Sequence, residues 1–369
     1  MRRPLLSLVM IVKDEARGIR ETLESARPHI DRYTILDTGS TDGTQAIVRE
    51  VMAGIPGHLF EEPFVDFGAT RSRALDLAGT DAVFTLMLSG DETLHGGAAL
   101  RRFCEEYRDE PDGAYFVKVR FDSDSYDSAR LARTDVAWRY VGVTHEVLTK
   151  PGIDPPVLRV PGAHIHHDHS RRTAEGARRR WRLDRDLLTA AIAKDPADPR
   201  PVFYLAQTEE CLAEYETALA GYRRRVAMGG WPEEVYEAKY RIGRVLGRLG
   251  RPWPEVQQAY LDAHAFGPHR AEPLFAVAQH WYGEKNWPLT FLFASRGAAI
   301  PYPEYSRLFV DDDTYAWRLH DLAGIAGYYL GEFEAGEAAA RRAVAGRPDD
   351  PRLARNLMYF LDCKGTRAA

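Results

Sequence analysis

Apolar positions follow two rhythms along the chain, and the rhythm changes near residue 195. Before it, short apolar runs break abruptly into charge: Leu5 to Val12 meets Lys13-Asp14-Glu15, Tyr33 to Leu36 stops at Asp37, and Ala82 to Leu88 gives way to Ser89-Gly90-Asp91-Glu92. Runs of this length bounded by turn residues predict strands. Between them, Arg17 to Ser25 and Thr44 to Met52 carry apolar residues at helical spacing, and a glycine turn at Gly68 opens a third helix with Ala74, Leu77 and Ala78 on one face. Strand alternating with helix predicts an α/β domain whose parallel strands end on a common polar edge.

Further on, Ala114 to Phe121 and Ala137 to Val143 read as strands, with Asp122 to Ser128 as the turn region between them. Asp122, Asp124 and Asp127 lack the central glycine and terminal glutamate of an EF-hand, so this stretch is expected to be a polar surface loop. Ser170 to Lys194 predicts an arginine-rich helix with Trp181, Leu187, Leu188 and Ile192 as its apolar partners.

Beyond Asp195-Pro196 everything reads as helix, and the pattern repeats. Leu205-Ala206 with Tyr215, Ala218 and Tyr222, then Ile242-Gly243 with Trp253, Tyr260 and Ala263, resemble the tetratricopeptide pattern. Val277-Ala278 with Trp287, and Ala323-Gly324 with Phe333, Ala340 and Ala343, add two more units. The aromatics Tyr215, Trp253, Trp287 and Phe333 stand 38, 34 and 46 residues apart, which leaves an insertion at Pro301 to Asp313. Small residues where helices cross and aromatics between them predict a stack of helical hairpins, capped by Arg352 to Leu361. The expected domains are 1–169, a connecting helix at 170–195, and a repeat array at 196–369.

Candidate chemistry gathers in the first half. Asp37 sits at a strand tip before Gly39 and Ser40, where small residues let a ligand approach the backbone. Arg71 is expected on the first turn of its helix, a position the helix dipole does not favour for a cation unless an anion such as pyrophosphate compensates. His145-Glu146 closes a predicted strand. His164, His166, His167 and His169, with Asp168, follow within six residues, and alternation places His164 and His166 on one face and His167 on the other.

The set Met10-Ile-Val-Lys-Asp-Glu15, Asp37-Thr-Gly-Ser-Thr-Asp-Gly-Thr44, Arg71-Ser72 and Ser89-Gly-Asp-Glu92 resembles family 2 nucleotide-sugar glycosyltransferases of the GT-A fold, over roughly the first half of the chain. The resemblance implies a Rossmann-like mixed sheet and a donor site made by Val12, Lys13, Glu15, Asp37, Gly39, Ser40, Arg71 and Gly90. In it Asp37 meets the uracil or ribose and Arg71 the diphosphate. It also implies a divalent cation, Mn²⁺ or Mg²⁺, on Asp91 and a late histidine, His167. The pattern is broken at Ser89, where an aspartate is expected. For an inverting displacement a carboxylate must take the acceptor's proton; Glu146 is the first candidate and Asp168 the second, with an arginine ion pair as the alternative role for Glu146.

Composition narrows the setting. A net charge of −5 over 369 residues argues against a general nucleic-acid binder, and no apolar run reaches the ~20 residues that span a bilayer, so a cytoplasmic protein is expected. Cys104, Cys211 and Cys363 are odd in number and far apart, which predicts reduced structural thiols. The expected activity is sugar transfer from a nucleotide-sugar, UDP-linked, to a peptide, protein or glycan acceptor, with the array selecting the acceptor or joining copies into a homo-oligomer. The competing expectation is a non-catalytic scaffold, favoured by Ser89. A nucleotidyltransferase would need a glycine-rich loop after the first strand, which Met10 to Glu15 lacks.

Overall fold

The computed structural model describes residues 2–110, 113–153, 158–168 and 173–367, with side chains to residue 362. His169, Arg171, Arg172 and the Cys363 side chain lie outside the described part. The chain divides into two compact units, Met1–Thr208 and Glu209–Ala369.

In the first unit β1 (Leu6–Val12), α1 (Ile19–Ala26), β2 (Arg32–Asp37), α2 (Thr44–Val51), β3 (Gly57–Glu61), α3 (Phe67–Ala78) and β4 (Phe84–Leu88) alternate. β5 (Glu92–His95), α4 (Gly97–Glu106), the hairpin of β6 (Ala114–Phe121) and β7 (Asp124–Arg133), a small pair β8 (Arg139–Val141) and β9 (Val147–Thr149), and β10 (Arg159–His167) follow. The main sheet runs β3-β2-β1-β4-β7-β6-β10-β5. Strands β1 to β4 are parallel, while β7 joins β4, and β5 joins β10, antiparallel. The sheet is therefore mixed.

Alternation explains its two layers. Leu6, Leu8, Met10 and Val12 of β1 enter one core with Leu23 of α1, Val48 of α2 and Phe103 of α4. Val9 points the other way, with Leu36, Met87, Ala74 of α3, and Tyr140 and Leu148 of the β8–β9 pair. Both faces are covered, as a sheet with near-continuous apolar strands requires. In β1, β2 and β4 charge is thereby left to the strand ends.

Two local expectations are corrected. The turn expected over Asp122 to Ser128 is only Asp122-Ser123: Asp124 to Ser128 lie inside β7, paired with β6. Cross-strand pairing overrides the low strand propensity of aspartate and serine. The strand expected over Ala137 to Val143 shortens to Arg139–Val141, because Ala137 turns through a left-handed φ of 57°.

After Thr173, whose side chain caps the helix, α5 (Ala174–Lys194) and α6 (Pro199–Cys211) lead to the second unit. It contains α7 (Tyr215–Met228), α8 (Pro232–Arg248), α9 (Trp253–Phe266), α10 (Glu272–Gly283), α11 (Trp287–Ala298), α12 (Leu319–Leu330), α13 (Phe333–Gly346) and α14 (Pro351–Arg367). Each helix packs on the next, forming tetratricopeptide-like hairpins. The small residues act as the pattern implies: a Cβ at Gly243 of α8 would lie 2.7 Å from the Tyr260 ring of α9. Cys104 is buried, its thiol pKa pushed up to about 12 by desolvation, whereas Cys211 is exposed and so no core thiol.

Candidate functional site

Three strand ends meet at the carboxyl edge of β1, β2 and β4, and side chains lock their loops together. The hydroxyl of Ser40 accepts a bond from the Asp14 amide at 2.9 Å, Thr44 Oγ1 from Glu15 at 2.8 Å, and Asp42 from Ala16 at 2.9 Å. Asp14 returns the contact by accepting from the Thr41 amide at 2.8 Å. The loop after β1 and the loop after β2 are thus one rigid body. Ser40, Thr44 and Asp42 build it, which accounts for small polar residues at these positions without any ligand.

Asp37 closes β2 and is fully buried. Its Oδ1 accepts from the amides of Gly39 and Ser40, both at 2.8 Å, and from the Gln45 side chain at 3.2 Å. Gly39 supports this turn with a φ of 102°. The other oxygen, Oδ2, is buried and has no hydrogen-bond partner among the described residues. A buried carboxylate oxygen left in that state is costly unless something else reaches it. Val12 ends β1 in the interior, while Lys13 is exposed.

Beside it, Ser89-Gly90-Asp91 turns out of β4. Thr22 of α1 donates to the Gly90 carbonyl at 2.9 Å, and the Glu15 side chain lies over Gly90 so closely that a Cβ there would stand 2.5 Å from it. Any larger residue would push Glu15 or the turn aside. Asp91 is 2% exposed, and the imidazole Nε2 of His167, at the end of β10, lies 3.1 Å from its Oδ2. The Asp168 amide donates to the Asp91 carbonyl at 3.1 Å, which fixes β10 against the turn. Among the described residues no three His, Cys, Asp or Glu side chains converge as a complete metal cage.

Arg71 comes in from α3. That helix starts at Phe67 with Asp66 as its cap, so Arg71 stands on the second turn and not the first. Its Nη2 donates to Ser89 Oγ at 3.0 Å, and its Nε lies 2.7 Å from Glu146 Oε1. Both side chains of this ion pair are about nine-tenths buried. Burial alone would raise the Glu146 pKa, but the Arg71 guanidinium, a backbone hydrogen bond and Arg130 together outweigh it and hold it below the ordinary carboxylate value. His145 precedes it in a left-handed conformation, φ 50°, with its ring stacked on Tyr204 at 3.9 Å and its carbonyl accepting from Arg200.

A second pair lies beneath. Arg130 of β7 donates to Glu92 Oε1 at 2.7 Å, and Glu92 Oε2 accepts from the Ser89 amide at 2.7 Å. Arg130 escaped the sequence reading, since nothing in its flanking residues marks it; Glu92 lay inside the quoted motif but without a role.

The structure thus brings Asp37 together with Gly39 and Ser40, Glu15 with Gly90, Arg71 with Glu146 and Ser89, and Asp91 with His167 and the Asp168 backbone. His164 and His166 turn to another place, where both meet the ring of His95. His164 is pushed down to about 4 by desolvation and by Arg120.

Residues 7–157 match the family model described as Glycosyl transferase family 2. The first unit carries a family 2 glycosyl transferase domain. A TPR repeat-containing protein of Synechococcus elongatus is 32% identical over 120 residues, 32% of this chain, and the match spans 28% of that relative's length. Among solved structures, YrrB, a TPR protein with an unusual peptide-binding site, covers 49% of this chain and 84% of its own at 16% identity and a TM-score of 0.37. The MamA protein covers 46% and 84% at 13% identity and 0.36. The family 2 domain accounts for the sheet and its polar edge. Among the described residues no helix is long and apolar enough to cross a membrane.

Proposed function

We propose that the family 2 domain transfers a sugar from a nucleoside-diphosphate donor, UDP-linked, to an acceptor hydroxyl or amide with inversion. The observation that carries this reading is the unbonded, buried Oδ2 of Asp37 on the same sheet edge as Arg71, Asp91 and His167. Asp37 Oδ2 would accept from the base or ribose, with Val12, Lys13, Glu15, Gly39 and Ser40 as the wall around it. Gly90 keeps the turn below the donor low.

A divalent cation fits the donor set. Asp91 and His167, whose Oδ2 and Nε2 stand 3.1 Å apart, would be the residues that hold it, as Mn²⁺ or Mg²⁺. When bound, the cation supplies charge neutralisation for the diphosphate leaving group. Arg71 supplies the rest from the protein side.

Glu146 and Arg71 then work as a pair. A general base acts best with a pKa near the working pH, and Glu146 alone with Arg71 is held too low. A diphosphate drawing on the Arg71 guanidinium weakens its hold on Glu146, so burial lifts the carboxylate toward a useful basicity. Donor binding thereby prepares the base that takes the acceptor's proton. Asp168, at the end of β10, is the second candidate for that role.

Glu146→Gln tests this: turnover falls at least about 100-fold while nucleotide affinity stays within about threefold. Equal loss of both contradicts the assignment. Asp91→Ala is expected to abolish transfer and the effect of Mn²⁺ on binding.

A scaffold without activity is the second reading, favoured by Ser89, whose hydroxyl accepts from Arg71 where a carboxylate would serve a metal. Nucleotide binding without measurable transfer or donor hydrolysis supports it. A peptide, protein or glycan acceptor, array-mediated dimerisation and a cytoplasmic location belong to the transferase reading.

A further inference from the structure

In the β7-β6-β10-β5 half of the sheet, β10 breaks step with its parallel neighbour β6. Arg159 pairs with Phe116 and His164 with Lys118, so the stretch from Val160 to Ala163 faces the single residue Val117. Extra residues of this kind are rare in a parallel pair, and they re-aim the side chains beside them. The bulge is firmly seated. Gly162 turns with a φ of 70°, and its carbonyl packs so closely on Gly96 that no Cβ fits there. Val160 and Ala163 are buried in the core, at 1% and 7% exposure.

Where the strands part, a cavity of about 270 Å³ opens, lined by Lys118, Arg120, Arg159 and His164 together with the bulge. Alternation sends Val117 and Val119 into the core and leaves Lys118 and Arg120 on the other face of β6. Pairing sets His164 beside Lys118 on that face, and the ring of His95, opposite on β5, stacks on His164 at 4.8 Å. Among the described residues that line the cavity none is acidic. Asp127 of β7, opposite Lys118, accepts from Arg159 at 2.6 and 2.8 Å and so fixes that guanidinium at the rim. Cations gathered on one cavity favour an anion in it. The lowered pKa of His164, set first by desolvation and then by Arg120, reports the same field. Guanidinium and ammonium groups both match phosphate oxygens, and a cavity below roughly 300 Å³ suits a small ligand.

We propose that this cavity binds a phosphate group, free or carried by a small organic molecule, on Lys118, Arg120 and Arg159 with His164 beside them. None of these residues belongs to the donor site, and the inference does not depend on the donor reading. It gives the first unit a second anion site, built on the bulge of β10.

Calorimetric titration of the full chain at low ionic strength with inorganic phosphate, glucose 6-phosphate and glucose tests it. Saturable binding of the phosphates is expected, and none of glucose. Lys118→Ser with Arg120→Ser should weaken that binding at least about tenfold, as loss of charge-assisted bonds does, while Arg71→Gln at the donor site leaves it within about threefold. Circular dichroism establishes folding; where the double variant unfolds, Arg120→Ser alone, at an exposed position, is held to the same tenfold criterion. Tighter binding of glucose 6-phosphate than of inorganic phosphate marks an organic phosphate as the occupant, equal binding marks the free ion, and both sustain the proposal. No saturable binding of either phosphate by the wild type overturns it, as does binding that Arg71→Gln abolishes and the Lys118 and Arg120 substitutions leave intact.

Discussion

Both units bury charge, and they treat it differently. In the helical array Arg225 meets Glu234, Arg241 meets Glu237 and Arg270 meets Glu272, each pair nine-tenths or more buried. Arg270 also spends two donors on backbone carbonyls, and Glu272 takes two tyrosine hydroxyls. At the sheet edge of the first unit Asp37 uses one oxygen three times over and, among the described residues, the other not at all. A closed network specifies a fold, whereas a carboxylate satisfied on one side only is prepared for something that arrives later.

The sharpest way to break this contrast is Arg270→Ala. It leaves the Glu272 carboxylate without its cation in the interior and should cost about 3–5 kcal/mol, read by denaturant unfolding of the array. Nucleotide binding should be unchanged in the folded variant. A loss below ~1 kcal/mol would mean that the pair is solvated and the contrast false.

Arg71→Gln should have a smaller effect, and one that depends on pH. In the wild type the folded-state pKa of Glu146 is below its ordinary 4.5, so the pair's stabilisation is fully present above that value and is lost as pH falls through the folded pKa. Without Arg71, burial pushes the carboxylate the other way. The stability difference between wild type and variant should therefore be largest at neutral pH and shrink as pH falls through the variant's raised Glu146 pKa and on through the lowered one of the wild type. A difference independent of pH would separate Glu146 from Arg71.

Smallest of all should be Arg73→Ala, two residues along α3, whose exposed bidentate pair with Glu62 looks similar on a contact list. Exposed pairs contribute little, and no measurable change in melting or nucleotide binding is expected.

The architecture was legible because apolar rhythm is a direct record of burial. Val9 and Leu8 point to opposite cores as their alternation says, and Gly243 stands against Tyr260 as the repeat pattern says. The site was legible only where its residues sit together in the chain: Asp37 with Gly39 and Ser40, or Asp91 with Gly90. Arg130 stands 38 residues from Glu92 and is joined to it by sheet pairing that local sequence does not encode. Arg71 was legible as a cation near a polar edge, but its distance to Glu146 depends on how α3 packs beside the β8–β9 pair, which follows from tertiary contacts. The Asp122 to Ser128 error has the same origin: a polar stretch became a strand because β6 was there to pair with it.

The most direct test of the central claim is calorimetric titration of the purified protein with UDP, then GDP, with and without Mn²⁺, repeated on Asp37→Asn. The account predicts saturable binding of UDP, tightened by Mn²⁺, and a loss of at least about tenfold in the variant at unchanged melting temperature. A folded wild-type protein that takes up neither nucleotide would contradict it.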